Sequence, residues 1–231
     1  MKTLIITAAT HAEIASLESY LKNNFSEISP AVFKLQDVNI HVLITGIGIL
    51  ETIYTLMQQL NSFRPDAWIQ LGIGGAVDKS LDIGNVYAIE SEMLYGFGAQ
   101  DRDGMILDQF HLGWRDANEF PYTDGKLLCP FATKISNLQN ASGMTSLFAH
   151  GRTEEIEKIT SHPHGQIENM EGMPFFYVSL MENIPFVSLR AISNVVESRD
   201  KSKWQIDKAV KALNAKVIAF INHDLDLLIK T

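Results

Sequence analysis

Compact apolar runs of strand length alternate along the chain with stretches whose apolar residues recur every three or four positions. Thr3 to Ala9 is such a run, and Thr10 follows it with Glu13 three residues later, ahead of Ile14 and Leu17. That T-x-x-E spacing is a capping box at the start of a helix. Ile40 to Thr45 predicts a second strand, and Gly46-Ile47-Gly48 turns it into a helix on which Leu50, Ile53, Tyr54, Met57 and Leu60 recur at helical spacing. Arg64-Pro65 ends that helix. Ala67 to Leu71 predicts a third strand, followed by Gly72-Ile73-Gly74-Gly75, which is either a plain turn or bare main chain that a ligand can approach closely. Gly84 to Ile89 is a further strand. Beyond Glu92 the pattern breaks into a polar and aromatic segment from Tyr95 to about Gly125, a length typical of lids and interface loops. Ala141 to Ala149 resumes an extended run, and Thr153 caps a short charged helix over Glu154 to Thr160. Ile167 then leads into Glu168-Asn169-Met170-Glu171, after which Gly172 and Pro174 open an apolar helix reaching Met181. Pro185 starts another run, Phe186 to Ile192, dense enough to be a strand buried on both faces, with Ser193 and Asn194 just past its end. If the strands preceding Glu171 and Asn194 share a sheet, both side chains emerge at one edge and face one ligand. From about Trp204 a last helix carries Ile206, Ala209, Val210, Leu213, Val217, Ile218 and Phe220 as a packing stripe. The alternation predicts an α/β sandwich with a largely parallel central sheet.

Composition narrows the picture. At 231 residues, 46% of them hydrophobic, the chain supports one large core, so 1–231 is read as a single domain. Nineteen basic against 27 acidic residues give 19 − 27 = −8, and no Lys/Arg run interleaves with aromatics, so no nucleic-acid partner is expected. One cysteine, Cys129, makes no internal disulfide, and the apolar run at the N-terminus is too short for a signal peptide. A cytoplasmic location follows as the expectation. No apolar stretch reaches the length of a membrane span.

The chemistry that remains is that of carboxylates. His162-Pro163-His164 lacks a third ligand at a familiar spacing, so no metal is expected. A G-x-S-x-G signature is absent, and Cys129 precedes Pro130 with no nearby histidine, which argues against covalent acyl chemistry. Neither glycine turn completes a dinucleotide fingerprint or a P-loop. Glu13 and Glu171 each follow a strand, and two carboxylates around one sugar suit heterolytic cleavage at an anomeric carbon: one activates water, the other holds hydroxyls as positive charge develops. Each also fits an ordinary helix-start acid.

These residues carry a resemblance. Asn169-Met170-Glu171-Gly172, Arg190-Ala191-Ile192-Ser193-Asn194 and Arg199-Asp200-Lys201-Ser202-Lys203-Trp204, with the glycine turns at Gly46 to Gly48 and Gly72 to Gly75, resemble the nucleoside phosphorylase and nucleosidase superfamily. Over Glu168 to Trp204 the chain is most similar to the futalosine hydrolase branch. The resemblance implies a three-layer α/β/α sandwich with a central mixed, largely parallel twisted sheet. It implies that Glu13 activates the attacking water, Glu171 binds ribose hydroxyls, Met170 packs under the sugar and Gly74 lies against the substrate. Phe148, 23 residues before Glu171, matches a purine-stacking phenylalanine, although a core residue fits there equally. Many relatives have an aspartate, the donor to purine N7, at Asn194, and a serine at Ile73 that in phosphorylases helps to bind phosphate. An asparagine cannot supply a proton, but one amide accepts from N7–H and donates to O6 of a departing 6-oxopurine. A turn-forming Asn is the plainer alternative. The resemblance thus implies hydrolysis of a hypoxanthine nucleoside, futalosine above all. A nucleosidase of the 5′-methylthioadenosine/S-adenosylhomocysteine type and a non-catalytic nucleoside sensor are the alternatives. A small nucleoside is the expected partner, in a homodimer or larger homo-oligomer, with no cofactor and no membrane.

Overall fold

Residues 1–102, 104–135, 137–161 and 164–229 are described by the computed structural model. His162 and Pro163, weighed above as part of a metal pair, lie outside the described residues. In chain order the elements are β1 (Lys2–Ala8), α1 (His11–Asn24), β2 (Ser26–Ser29), β3 (Val32–Leu35), β4 (Val38–Ile44), α2 (Gly48–Ser62), β5 (Ala67–Ala76), β6 (Val86–Leu94), β7 (Gly98–Gln100), β8 (Ile106–Asp108), β9 (Tyr122–Thr123), β10 (Lys126–Leu128), β11 (Gln139–Thr145), α3 (Thr153–Ser161), β12 (Ile167–Asn169), α4 (Gly172–Met181), β13 (Phe186–Val195), α5 (Ile206–His223) and α6 (Asp226–Ile229). A central mixed sheet is flanked by α1 and α5, which pack on each other and on β5 and β13, and by α2 and α4, which pack together with α4 against β6 and β11.

One half of the sheet is open and the other curls shut. β4, β1 and β5 run parallel, and β3 and β2 extend the edge antiparallel. Beyond β5 the order continues through β12, β11 and β6, while β13 pairs with both β5 and β6, so that β5, β12, β11, β6 and β13 close a ring. Side chains on one face of β5 and β13 change character along the ring. Trp68 lies level with Phe186, Gln70 with Ser188 and Gly72 with Arg190. The first level is core: Phe175 of α4 packs tilted against Trp68 and edge-on against Phe186, at centroid distances of 5.6 and 5.7 Å, and the indole N–H donates to Ser179 Oγ at 2.8 Å. Burying such side chains contributes roughly 1.5–3 kcal/mol each. The next two levels are polar and buried.

Several boundaries differ from the sequence reading for identifiable reasons. The third strand does not stop at Leu71; β5 runs to Ala76, and its glycines answer to crowding rather than to a turn. A Cβ at Gly72 would lie 2.5 Å from Arg190 Nη1, one at Gly74 2.5 Å from Ile167 Cγ2, and one at Gly75 2.8 Å from Val196 Cγ2. β13 likewise continues through Ser193 and Asn194, with a bulge between Ile192 and Asn194 that re-aims the asparagine. β11 ends at Thr145, leaving Phe148 in a loop. The segment after Tyr95 is not wholly irregular, since β7 and β8 form a hairpin within it. The two strands leading to Glu171 and Asn194 do share a sheet, but β12 is antiparallel to β5 whereas β13 is parallel to it. Asn194 therefore sits at the level of Gly75, while the chain beyond β12 doubles back until Gln70 Nε2 donates to the Glu171 carbonyl at 2.8 Å.

Candidate active site

Glu13 occupies the third position of α1 and does what its spacing implies: Thr10 N–H and Thr10 Oγ1 donate to its Oε2 at 3.0 and 3.2 Å. The other oxygen is engaged elsewhere. Oε1 accepts the backbone N–H of Ile73 at 3.2 Å, so the capping carboxylate is also aimed across the end of β5. Helix and site readings of Glu13 are therefore compatible.

Glu171 approaches from the opposite helical layer. It is the N-cap residue of α4, half-buried, and its Oε1 accepts the N–H of Gly48 at 2.8 Å. Gly48 is the first residue of α2 and has φ +83°, a conformation that favours glycine. The Gly46-Ile47-Gly48 turn thus presents a helix N-terminus to the carboxylate, a favourable arrangement for negative charge. Burial pushes the Glu171 carboxyl above the ordinary carboxylate range; Arg190 and the N–H groups of Gly48 and Met170 pull it back, and Glu13 adds to the rise. Met170, half-buried, lies between Asn169 and Glu171.

Arg190 is the residue that sequence reasoning quoted without giving it a role. It is fully buried, its Nη2 donates to Gln70 Oε1 at 2.8 Å, and its Nε has no partner among the described residues. A Cβ on Gly72 would touch Arg190 Nη1 at 2.5 Å and Glu13 Oε1 at 3.5 Å, which puts the guanidinium beside the first carboxylate. A charged residue in an otherwise apolar strand was the signal available, because burial of a guanidinium costs free energy unless something compensates it. Each strand of the closed ring supplies a buried polar side chain here: Gln70 from β5, Glu92 from β6, Thr145 from β11, Asn169 from β12 and Arg190 from β13.

Asn194 and Phe148 define two further corners. The Asn194 amide accepts from Ser193 Oγ at 2.8 Å and donates to the Val195 carbonyl at 3.0 Å, which leaves one lone pair and one N–H free for a ligand. Phe148 is 56% exposed, which removes the core alternative for it. Its ring lies 4.7 Å from that of His150, whose Nδ1 hydrogen-bonds to Glu168 and whose buried Nε2 has no partner among the described residues. Glu168 also accepts from Ser146 Oγ at 3.2 Å, and the Glu168 carbonyl lies 2.9 Å from where a Cβ on Gly74 would be. The glycine run of β5 is thus the common spine: Glu13 meets it at Ile73, the Glu168 main chain at Gly74, and Asn194 at Gly75. Phe148 and Asn194 are not brought into contact with either carboxylate. A cavity of about 700 Å³, lined by Val77, Asp78, Glu157, Gln166 and Val196 among others, opens nearby but contains neither Glu13 nor Glu171. Among the described residues no group of three His, Cys, Asp or Glu side chains is disposed to hold a metal ion, and no helix is long and apolar enough to cross a membrane.

Comparison with known proteins sets this geometry in context. A model of the Phosphorylase superfamily matches residues 3–222. A futalosine hydrolase of Thermus thermophilus is 27% identical over 171 residues, covering 73% of this chain and 75% of that protein. A 5′-methylthioadenosine/S-adenosylhomocysteine nucleosidase of Staphylococcus aureus is 24% identical over 231 aligned positions, covering 94% of this chain and 98% of that one. Among solved structures, the Helicobacter pylori nucleosidase of the latter kind, in complex with a pyrrolo-pyrimidine pyrrolidinol, superposes with a TM-score of 0.77 at 16% identity, covering 96% and 98% of the two chains. At that identity the likeness is one of fold.

Proposed function

Because the chain belongs to the Phosphorylase superfamily and is an N-glycosyl hydrolase acting on nucleosides, we propose that it cleaves the N-ribosidic bond of a hypoxanthine nucleoside of the futalosine type. Water adds to C1′ as the bond from C1′ to N9 breaks, Glu13 takes the water proton, and a proton from solvent reaches N7, so that the purine departs as the neutral base carrying N7–H. Glu171 binds the ribose hydroxyls and gains strength as the sugar becomes cationic, the requirement for an interaction that raises kcat. Arg190 balances the two carboxylates, and Phe148 offers an exposed ring for stacking. The observation that carries the reading is that Glu13 and Glu171, coming from opposite layers, are held by the N–H groups of Ile73 in β5 and Gly48 at the start of α2 and lie close enough for the charge of Glu13 to act on Glu171. Ile73 offers no hydroxyl for phosphate, which favours water as nucleophile.

The choice of purine rests on Asn194, whose spare lone pair and N–H match N7–H and O6. A second reading, an adenine nucleosidase of the 5′-methylthioadenosine type, is favoured by the longer alignment with the Staphylococcus aureus relative. Futalosine, inosine, adenosine and methylthioadenosine, with the released base identified by chromatography, separate the two. Asn194→Asp sharpens the test: the ratio of kcat/KM for hypoxanthine over adenine nucleosides sharing one 5′ group falls by about tenfold, the scale of one altered hydrogen bond to charge. An unchanged ratio removes Asn194 from the purine site. The same reading carries self-association of identical chains.

A further inference from the structure

Glu92 has no part in that scheme, yet the fold is built around its carboxyl. On β6 the register with β11 slips between Ile89, level with Ala141, and Ser91, level with Ser142, so that Glu90 is an extra residue and Glu92 turns fully inward. Its Oε1 sits in a slot between two glycines of different elements. A Cβ on Gly143 or on Gly172 would each lie 2.0 Å from that oxygen. The glycine of the Asn-Met-Glu-Gly motif is thus required by a carboxyl about 80 residues earlier, at the first position of α4.

From this slot a chain of hydrogen bonds runs to the loop that carries Glu171. Asn169 Nδ2 donates to Glu92 Oε1 at 2.7 Å. Asn169 Oδ1 in turn accepts the N–H groups of Glu171 at 3.2 Å and Gly172 at 2.6 Å, and Thr145 Oγ1 accepts the N–H of Met173 at 2.7 Å. These are the free donors at the start of α4, met by side chains of β11 and β12 because Glu171 makes no cap of its own. Thr145 Oγ1 lies 3.0 Å from Glu92 Oε2 and 3.1 Å from Asn169 Oδ1. A hydroxyl has one proton, so it cannot donate to both. Both contacts are hydrogen bonds when Glu92 carries a proton: Glu92 donates to Thr145 Oγ1, and Thr145 donates to Asn169 Oδ1.

We propose that Glu92, in its neutral form, is a positioning residue for hydrolysis: through Asn169 and Thr145 it fixes the first turn of α4 and with it the Glu171 carboxylate. This rests on the reading of Glu171 as the ribose-binding group. The charged groups facing Glu92 are Arg190 from β13 and Glu171 from the loop before α4; β10 contributes Leu127 at its level, β11 Gly143 and Thr145, and α4 Gly172, all uncharged. Burial pushes the Glu92 carboxyl up to about 7 against the pull of Arg190, Asn169 and Thr145, and the Glu171 charge adds to the rise. Ionisation of Glu92 turns the Thr145 hydroxyl toward Oε2 and away from Asn169 Oδ1, so a second negative charge beside Glu171 loosens the network at that bond.

Glu92→Gln and Glu92→Ala test this. Glutamine reproduces the neutral pattern, accepting from Asn169 and donating to Thr145. Wild-type kcat is expected to fall on the alkaline side with an apparent pKa of about 7; Glu92→Gln keeps kcat near neutrality and loses that limb. Glu92→Ala loses about 10- to 100-fold in kcat with a smaller change in KM, the signature of a misplaced group. A limb that persists in Glu92→Gln, or equal losses in both variants, overturns the proposal. Thermal unfolding reads the same proton without turnover. The folded-state pKa lies above the unfolded one, so the stability it contributes is present below the unfolded value near 4.5 and lost as pH rises through about 7. The Tm of Glu92→Gln therefore gains on wild type across that window and stays ahead above it. Parallel Tm curves overturn the proposal whether or not a substrate is found. Diverging curves with no base released from any nucleoside overturn the activity instead, and leave the neutral, loop-holding Glu92 in place.

Discussion

A carboxylate accepts several hydrogen bonds at once, and Glu13 uses that capacity to serve helix and site together. Glu13→Gln keeps an oxygen for Thr10 but turns an NH2 group toward the Ile73 N–H, a donor against a donor. Stability is expected to fall by about 1 kcal/mol, read as a shift in the denaturant midpoint at constant m. Turnover falls by at least ~10²-fold, the lower range for a lost general base. Near-normal turnover would leave Glu13 as a cap only. Glu13, Glu171 and Asn194 could be picked out from the sequence as candidates because each follows or closes an apolar run of strand length, a local feature. Arg190, Asn169, Thr145 and His150 were not given roles, because what defines them is a partner far along the chain. Gln70 and Arg190 are 120 positions apart, and Asn169 and Glu92 are 77 apart. No periodicity encodes such pairs.

Between elements, the hinge of the site is the contact of α1 with α5. Asn214 lies on the buried face of α5, its Oδ1 accepts the Leu17 N–H at 2.8 Å, and its Nδ2 donates to the Glu13 carbonyl at 2.7 Å. Those two backbone groups form one rung of the α1 ladder by spacing, so a side chain of α5 clamps the turn from which Glu13 projects. Asn214→Leu conserves volume and removes the clamp. We expect a loss of about 1–3 kcal/mol for the buried hydrogen bonds, and a kcat lowered by up to about 10²-fold through displacement of Glu13. A variant that is destabilised yet turns over normally at a temperature where it is folded would make Asn214 purely structural. The helices were largely legible: α1, α2, α4 and α5 lie where capping, proline and spacing put them. Asn214 drew no attention, because the stripe of Leu213 and Val217 around it reads as packing alone. The sheet was read less well, since antiparallel β12, the bulge in β13 and the extension of β5 through its glycines depend on which strands become neighbours. The apolar spacing on α2 was correct, but periodicity does not say which face turns inward.

For the whole molecule, that face of α2 is the feature a single chain leaves unfinished. Thr52 and Leu56 are its buried positions, while Leu50 is 83% and Tyr54 67% exposed, with Ile47, Ile53 and Met57 also exposed alongside them. An apolar stripe of this kind on a monomer's surface marks an interaction site. A second copy is the occupant implied by the resemblance, and a stable pairing requires roughly 1,200–2,000 Å² of buried surface, more than one helix face supplies, so neighbouring loops must join it. The stripe starts beside the site: Gly48, the first residue of α2, donates to Glu171. Covering α2 therefore steadies the N–H group that holds the ribose-binding carboxylate. The expected result is a homo-oligomer by light scattering at micromolar concentration, converted to monomer by Leu50→Glu with Tyr54→Glu, since burying two unpaired carboxylates costs several kcal/mol. Because neither side chain lies in the monomer's core, the doubly substituted chain keeps its Tm within a few degrees when diluted wild type is the reference. Its kcat falls with KM less affected, as Gly48 loosens against Glu171. A wild-type chain that is monomeric at these concentrations, or a monomeric variant of undiminished kcat, would separate the α2 face from the site and leave Glu171 positioned by the Glu92 network alone.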